Sequence, residues 1–224
     1  MQFSSSSVSL FKNFAGIAKG LLIQPGRDVR LRSPGGALQA EATIVESFPV
    51  EVAIYDTTNF LGVAAIFRRP DFEFMENHVR IVDLDGIAEV RYQYAPASLI
   101  DTKPRRIPPL TGPIIEFDLP DETWMSLQRA ASLLNCKEIR ILSCGETVRV
   151  TTFEHKDPNR SEFSVSVAAR ANGLRCSTVI GVNNLQLLKG AYHCIVTPKY
   201  TVFENTSGYD LKYYLACEPS STFD

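Results

Sequence analysis

Apolar positions recur at helical spacing in three long stretches and one short one, and strand-like alternation fills most of the remaining chain. The first helix pattern covers residues 5–19. Phe11, Phe14, Ala15, Ala18 and Leu22 fall on one stripe, and Ser5, Ser9, Lys12, Gly16 and Lys19 on another. Residues at i, i+4 and i+7 share a helix face, so the first stripe predicts the buried side. Strands LLI and DVRLR follow around Pro25-Gly26, and after the turn SPGG a third covers residues 38–46. The run VAIYDTTNFLGVAAIF (52–67) reads as a strand that meets Asp56 and enters a second helix. Phe60, Ala64 and Phe67 would point inward, and Thr58, Gly62, Ala65 and Arg69 elsewhere. Short strands near 72–74, 79–82 and 89–94 finish this half.

The second half repeats the order. DETWMSLQRAASLLN has start signals at Pro120 and Asp121 and a stop at Asn135. Trp124, Leu127, Ala131 and Leu134 would face the core. Arg129 would lie nearly opposite, beside Met125 and Ser132. Strands EIRILS, TVRVTTFE and EFSVSVAA are separated by CGE and HKDPNRS. CSTVIGV then leads to a short predicted helix, NNLQLLKG, with Leu185 and Leu188 inward, Lys189 in the last turn and Gly190 as C-cap. YHCIVTP, YTVFE and DLKYYLACE close the chain as strands. Helix, strands, strand-into-helix, strands: the scheme occurs twice, which predicts an α+β chain of two similar domains.

Six prolines stand between Pro96 and Pro120. Proline fixes φ and removes a donor, so this stretch is expected to be an extended connector without a central strand, exposing Lys103, Arg105 and Arg106. The resulting organisation is 1–103, an N-terminal domain; 104–113, a proline-rich connector; and 114–224, a C-terminal domain.

Composition narrows the class. The 224 residues are 45% hydrophobic and 21% charged, the profile of a globular protein with a real core. No run approaches the length of a membrane helix, and MQFSSSSVSLFKNF lacks the features of a signal peptide, so a cytoplasmic protein with no membrane partner is expected. The five cysteines are odd in number and contain no CxxC pair, which predicts reduced, buried thiols rather than a metal site. The formal net charge is −2, whereas bulk attraction to nucleic acid needs a basic balance. Either DNA is not a ligand, or the bases are segregated. The second option fits the helices, whose exposed stripes each carry a base and no acid.

Motifs for chemistry are missing: there is no GxGxxG, GxxxxGK[ST], GxSxG or HExxH. His78, His155 and His193 are scattered, and His193-Cys194 would point to opposite faces of a strand. Asp83-Leu84-Asp85-Gly86 predicts a hairpin turn rather than a calcium loop. Asp56, before Thr57, Thr58 and Asn59, predicts an N-cap.

LFKNFAGIAKG (10–20) and VAIYDTTNFLGV (52–63) resemble the first inner helix and the strand and second helix of the sliding clamps of T-even-type bacteriophages. The repeated half-chain, the connector and the ending YYLACEPSSTFD are similar to that family in order and length. The resemblance implies the DNA-clamp fold: two domains per chain, each with two inner helices backed by antiparallel sheet, and a closed ring formed as a homotrimer. It further implies a DNA polymerase processivity factor without catalytic activity or cofactor. Such a clamp is placed on duplex DNA by an ATP-dependent clamp loader and tethers the phage DNA polymerase. It also serves late-transcription factors, in the host bacterial cytoplasm at the replication fork.

On that reading the DNA-facing residues are Lys12, Lys19, Arg69, Arg129 and Lys189, with Arg68 and Lys137. No aromatic residue on these stripes offers bases a stacking platform, which argues against single-strand binding. Ile107 and Leu110 of the connector, with Tyr214, are expected at the partner pocket. The subunit interface is expected to pair residues 89–94 with residues 162–169, involving Val90, Tyr92, Val165 and Val167. No metal site is expected. The alternatives are a clamp-like interaction module that does not encircle DNA, and an enzyme whose site uses one of the three histidines.

Overall fold

The first helix, α1 (Ser5–Ile17), starts where the sequence supplies a cap: the Ser4 hydroxyl accepts the Ser7 N–H at 3.2 Å. Its buried face is Ser7, Leu10, Phe11, Phe14 and Ile17. The helix stops two residues earlier than the stripe suggested, because Ala18 is already extended. Gly20 then lets two chain segments approach closely, since a Cβ there would sit 3.2 Å from the Ile54 carbonyl oxygen and 3.3 Å from that of Tyr55. The computed structural model describes all residues except 84, 102–106, 108–109, 111–114, 145, 155–156, 158, 160, 171–173 and 224. The chain folds as two units, Met1–Arg105 and Arg106–Asp224.

In the first unit, β1 (Leu21–Ile23) pairs antiparallel with β4 (Val52–Ile54), and β2 (Gly26–Arg32) with β3 (Leu38–Phe48). Helix α2 (Thr57–Ala64) begins at Asp56, whose Oδ1 accepts the Asn59 N–H at 2.9 Å, so the expected N-cap is present. Phe60, Ala64 and Phe67 are buried as expected. The unit ends in a three-stranded sheet of β5 (Pro70–Phe74), β6 (His78–Asp83) and β7 (Glu89–Gln93), in that order. The β6–β7 connection is a hairpin turn, with Gly86 at φ 69° and its N–H donating to the Asp83 carbonyl at 2.8 Å. Met1 extends this sheet, exchanging backbone hydrogen bonds of 2.8 Å with Phe72. The core between helices and strands is aromatic. Phe3, Phe11, Phe48, Phe60, Phe72, Phe74 and Tyr92 meet at centroid distances of 4.5–6.4 Å, mostly tilted or edge-to-face, as ring quadrupoles prefer.

The second unit begins with β8 (Ile115–Leu119), followed by α3 (Asp121–Leu133). β9 (Glu138–Cys144), β10 (Thr147–Phe153), β11 (Phe163–Arg170) and β12 (Arg175–Gly181) come next. After a 3₁₀ turn at Val182–Asn184 the chain forms β13 (Tyr192–Val196), β14 (Tyr200–Asn205), β15 (Asp210–Ala216) and β16 (Thr222–Phe223). Among the described residues these strands run β16-β12-β9-β10-β11-β8-β13-β14-β15, all antiparallel. Helix α3 packs on β10 and β11, burying Trp124, Leu127 and Ala131. The repeated scheme is therefore real: each unit has a helix, four strands, a helical segment and a three-strand meander.

Two expectations need correction. The proline-rich stretch does contain a central strand: β8 pairs with β13 along its length and with β11 at Phe117 and Glu116. The prolines flank this strand and none lies within it, so its donors are intact. A 3₁₀ turn at Ala97–Leu99 also interrupts the expected extended chain. The connector at 104–113, apart from Ile107 and Leu110, lies outside the described residues, as do Lys103 and His155.

The segment NNLQLLKG, expected as a short helix, is no α-helix. Only Val182–Asn184 makes a 3₁₀ turn, and burial alternates, with Leu185 and Leu187 inside. Two buried tyrosines take the backbone groups a helix would have used. The Leu188 N–H donates to the Tyr213 hydroxyl at 3.0 Å, and the Tyr192 hydroxyl donates to the Leu188 carbonyl. Gly190 is thus not a helix cap. It sits at φ 152°, where a Cβ would lie 2.8 Å from Asn205 Nδ2.

Candidate nucleic-acid interface

The two units place a lysine at matching points. In the first, Lys19 stands between α1 and β1, and its carbonyl accepts the Thr57 N–H, the first residue of α2, at 2.8 Å. In the second, Lys137 stands between α3 and β9, and its carbonyl accepts the Val182 N–H, the first residue of the 3₁₀ turn, also at 2.8 Å. In both, the strand after the lysine pairs with the strand that leads into the second helical segment: Leu21 with Ile54, and Ile139 with Ile180. The backbone bond from the lysine carbonyl thus ties together the end of one helix and the start of the next. Both lysines are exposed.

The other expected cations are exposed as well, on less regular ground than periodicity suggested. Lys12 lies on α1 with Ser5 and Gly16, and Arg129 on α3 with Ser132. Helix α2 ends at Ala64, so Arg68 and Arg69 belong to the turn before β5 rather than to a helix face. Lys189 belongs to the bend before β13.

The acid-free stripes require correction. Asp56 Oδ2 lies 3.8 Å from Lys19 Nζ, and Asp85 Oδ1 lies 3.3 Å from Arg69. Glu122 is exposed in the first turn of α3. Periodicity along one helix cannot register Asp56 or Asp85, which a neighbouring cap and hairpin deliver, whereas Glu122, seven residues before Arg129, shares its stripe and is legible in the sequence. Lys19 Nζ also lies 4.7 Å above the Tyr55 ring, a cation–π contact. The Asp56 carbonyl also accepts the Tyr92 hydroxyl at 3.3 Å, a long hydrogen bond. Burial, and then the negative charge of Asp56, raises the Tyr92 phenol above its ordinary range.

Val90 and Tyr92 on β7, and Val165 and Val167 on β11, are the half-buried members of alternating strands. Tyr92 packs on Phe60 at 5.2 Å. Between them stand the exposed Glu89, Arg91 and Gln93, and Ser164, Ser166 and Ala168. Among the described residues β7 is paired on one side only, by β6. β11 is paired by β10 over most of its length and by β8 only at Ala169 and Arg170. Of the expected pocket residues, Leu110 is 44% exposed, Ile107 is half-buried, and Tyr214 lies half-buried against Tyr200.

A groove that no motif signalled lies on the second unit, lined by Glu116, Asp118, Arg170 and His193. His193 Nδ1 is 2.8 Å from Asp118 Oδ1, and Nε2 is 3.6 Å from Glu116 Oε2. Cys194 is wholly buried on the opposite face of β13, and burial pushes its thiol well up. The two therefore do not form a nucleophile pair. The described residues contain no group of three or more acids, histidines or cysteines able to hold a metal ion. No helix among them is long and apolar enough to cross a membrane.

The sequence is similar over its whole length to three curated phage proteins, each called a sliding clamp. That of Vibrio phage KVP40 is 26% identical over 222 residues, 97% of this chain and 99% of the relative. Those of Enterobacteria phage T4 and Escherichia phage RB69 are 24% and 23% identical over 233 aligned positions, each match covering both chains completely. No family model matches the chain. The fold is that of PCNA. The A. fulgidus protein, with the C-terminal region of FEN-1 bound, superposes with a TM-score of 0.72 at 14% identity, covering 99% of this chain and 98% of that one. PCNA of Thermococcus kodakaraensis gives 0.69 at 15% identity, with 96% and 98% covered. The architecture is accordingly α+β, with few helices on antiparallel sheet.

Proposed function

We propose that this chain is a non-enzymatic sliding clamp. Three copies close head to tail around duplex DNA and tether the polymerase of a phage to its template. The observation that carries the reading is the matched pair Lys19 and Lys137, one per unit, each held at the junction of two helical segments by its own carbonyl. The whole-chain similarity to phage proteins called sliding clamps supports it.

The mechanism follows from what a mobile tether requires. A few flexible cations near phosphates supply weak, sequence-independent attraction, so the duplex is centred but free to move. Lys12, Lys19, Arg68, Arg69, Arg129, Lys137 and Lys189 serve this role. Dissociation requires an interface to open rather than a phosphate contact to break. The half-paired strands β7 and β11 provide the heterologous surfaces a ring needs, and pairing across copies would cover edges that otherwise promote aggregation. An ATP-dependent loader opens the ring, late-transcription factors bind it, and the site of action is the replication fork in the host bacterial cytoplasm. The connector region with Ile107, Leu110 and Tyr214 receives partner peptides.

The test is the salt dependence of association with duplex DNA. Lys12→Ala with Lys19→Ala should leave the fold intact and flatten the plot of log K against log salt by about one unit per lost phosphate contact. An unchanged slope removes these residues from the lining. Negative-stain images of the particle without a central opening would favour an interaction module that does not encircle DNA.

A further inference from the structure

Among the exposed cations assigned to the lining, Lys19 is singular: an acid and an aromatic ring both restrain its amine. Asp56 Oδ2 stands 3.8 Å from Nζ and the Tyr55 ring centroid 4.7 Å away. The carboxylate divides its work between its two oxygens, with Oδ1 capping α2 through the Asn59 N–H at 2.9 Å and Oδ2 facing the lysine. The Tyr92 hydroxyl reaches the Asp56 carbonyl. The matched position in the second unit is Gly181, the residue before the 3₁₀ turn, which has no side chain of its own; Glu218 Oε1 stands 3.3 Å from where its Cβ would be. Lys137 has no ion pair among the described residues.

We propose that Asp56 is a positioning residue that tethers Lys19 and sets how strongly the first unit attracts DNA. This rests on the clamp reading above. A phosphate must compete with Asp56 and Tyr55 for the amine, and the counterion that DNA releases at Lys19 is partly offset by a cation that the freed Asp56 takes up. The side chains of Lys19 and Asp56 are 63% and 36% exposed. Such a pair is weak enough to open during each passage of a phosphate, and strong enough to bias the amine away from DNA between passages. Among the described residues the tether belongs to the first unit, so the two units grip unequally: Lys137 reaches out without an ion pair and Lys19 reaches out in competition.

Asp56→Asn isolates the charge, because asparagine caps a helix as well as aspartate does and keeps the Oδ1 acceptor. The experiment is a salt titration of binding to a fluorescein-labelled linear duplex, followed by anisotropy. It compares the full-length protein with Asp56→Asn, Lys19→Ala, the double variant and Lys137→Ala. Asp56→Asn should tighten binding about two- to five-fold per engaged subunit, the range an exposed ion pair allows. It should also steepen the salt slope by up to about one unit per subunit. In the Lys19→Ala background it should do neither. Asp56→Ser, another capping residue, should behave like Asp56→Asn. Weaker binding by Lys19→Ala with no gain from Asp56→Asn overturns the tether and leaves the clamp reading standing. An equal gain from Asp56→Asn with and without Lys19 overturns the tether too, since the acid would then act by bulk repulsion. Unchanged binding in both Lys19→Ala and Lys137→Ala overturns the lining itself, and the tether with it.

Discussion

The Glu46 side chain holds the start of α1 to β3, and its charge makes that hold dependent on pH. One carboxylate oxygen accepts the Ser4 N–H and the other the hydroxyl of Ser7, which is 2% exposed. Partial burial raises the carboxyl's pKa, but the bonds from Ser7 and from the Ser4 backbone outweigh it, and the net shift is downward. The group binds its proton less readily folded than unfolded. Its stabilisation is therefore fully present above the unfolded value and is lost as pH falls through the lower folded value. Hydrogen bonds to a charged acceptor contribute about 1 kcal/mol more each than neutral ones. Glu46→Gln, which keeps the shape and removes the charge, should then cost about 1–3 kcal/mol at pH 7. For a chain of this size that lowers Tm by about 2–10 °C. Thermal unfolding by circular dichroism would measure it, at one protein concentration because assembly also shifts Tm. The gap between wild type and Glu46→Gln should close as pH is lowered below the ordinary carboxylate range. A gap of constant size from neutral to acid pH would refute the reasoning, because it would show that the loss comes from replacing an acceptor oxygen by an amide donor rather than from the missing charge.

Two further outcomes follow from particular residues. Val165→Asp with Val167→Asp should give monomers on a sizing column and abolish processive synthesis. Because both valines lie on half-buried positions of β11, beneath α3, the circular dichroism spectrum must stay native for the result to count, and a native trimer would refute the interface. Gly190→Ala should destabilise the second unit by about 1–3 kcal/mol, since φ 152° is closed to alanine and the new Cβ would meet Asn205. Equal urea midpoints for the two proteins would remove that account.

The elements were legible in the sequence where local chemistry and periodicity agree. Ser4 and Asp56 cap helices because their short side chains satisfy orphan N–H groups, a purely local matter. Phe11, Phe14, Phe60 and Trp124 declare inner faces by spacing alone, and alternation alone separates His193 from Cys194. The doubled order of elements and the exposure of every proposed cation followed from the same signals. Long-range partners were decided only in three dimensions. Leu188 could not become helical once the hydroxyls of Tyr192 and Tyr213 had claimed its backbone groups. Ile115–Leu119 became a central strand because β13 and β11 offered ladders between flanking prolines. Asp56, Asp85 and Glu46 reached Lys19, Arg69 and Ser7 from other elements, across up to 39 positions of chain. A pattern read along one helix reports which side chains share its face, and electrostatics depends on distance through space. The location of the cations was therefore written in the sequence, and how strongly each is restrained was settled by the fold.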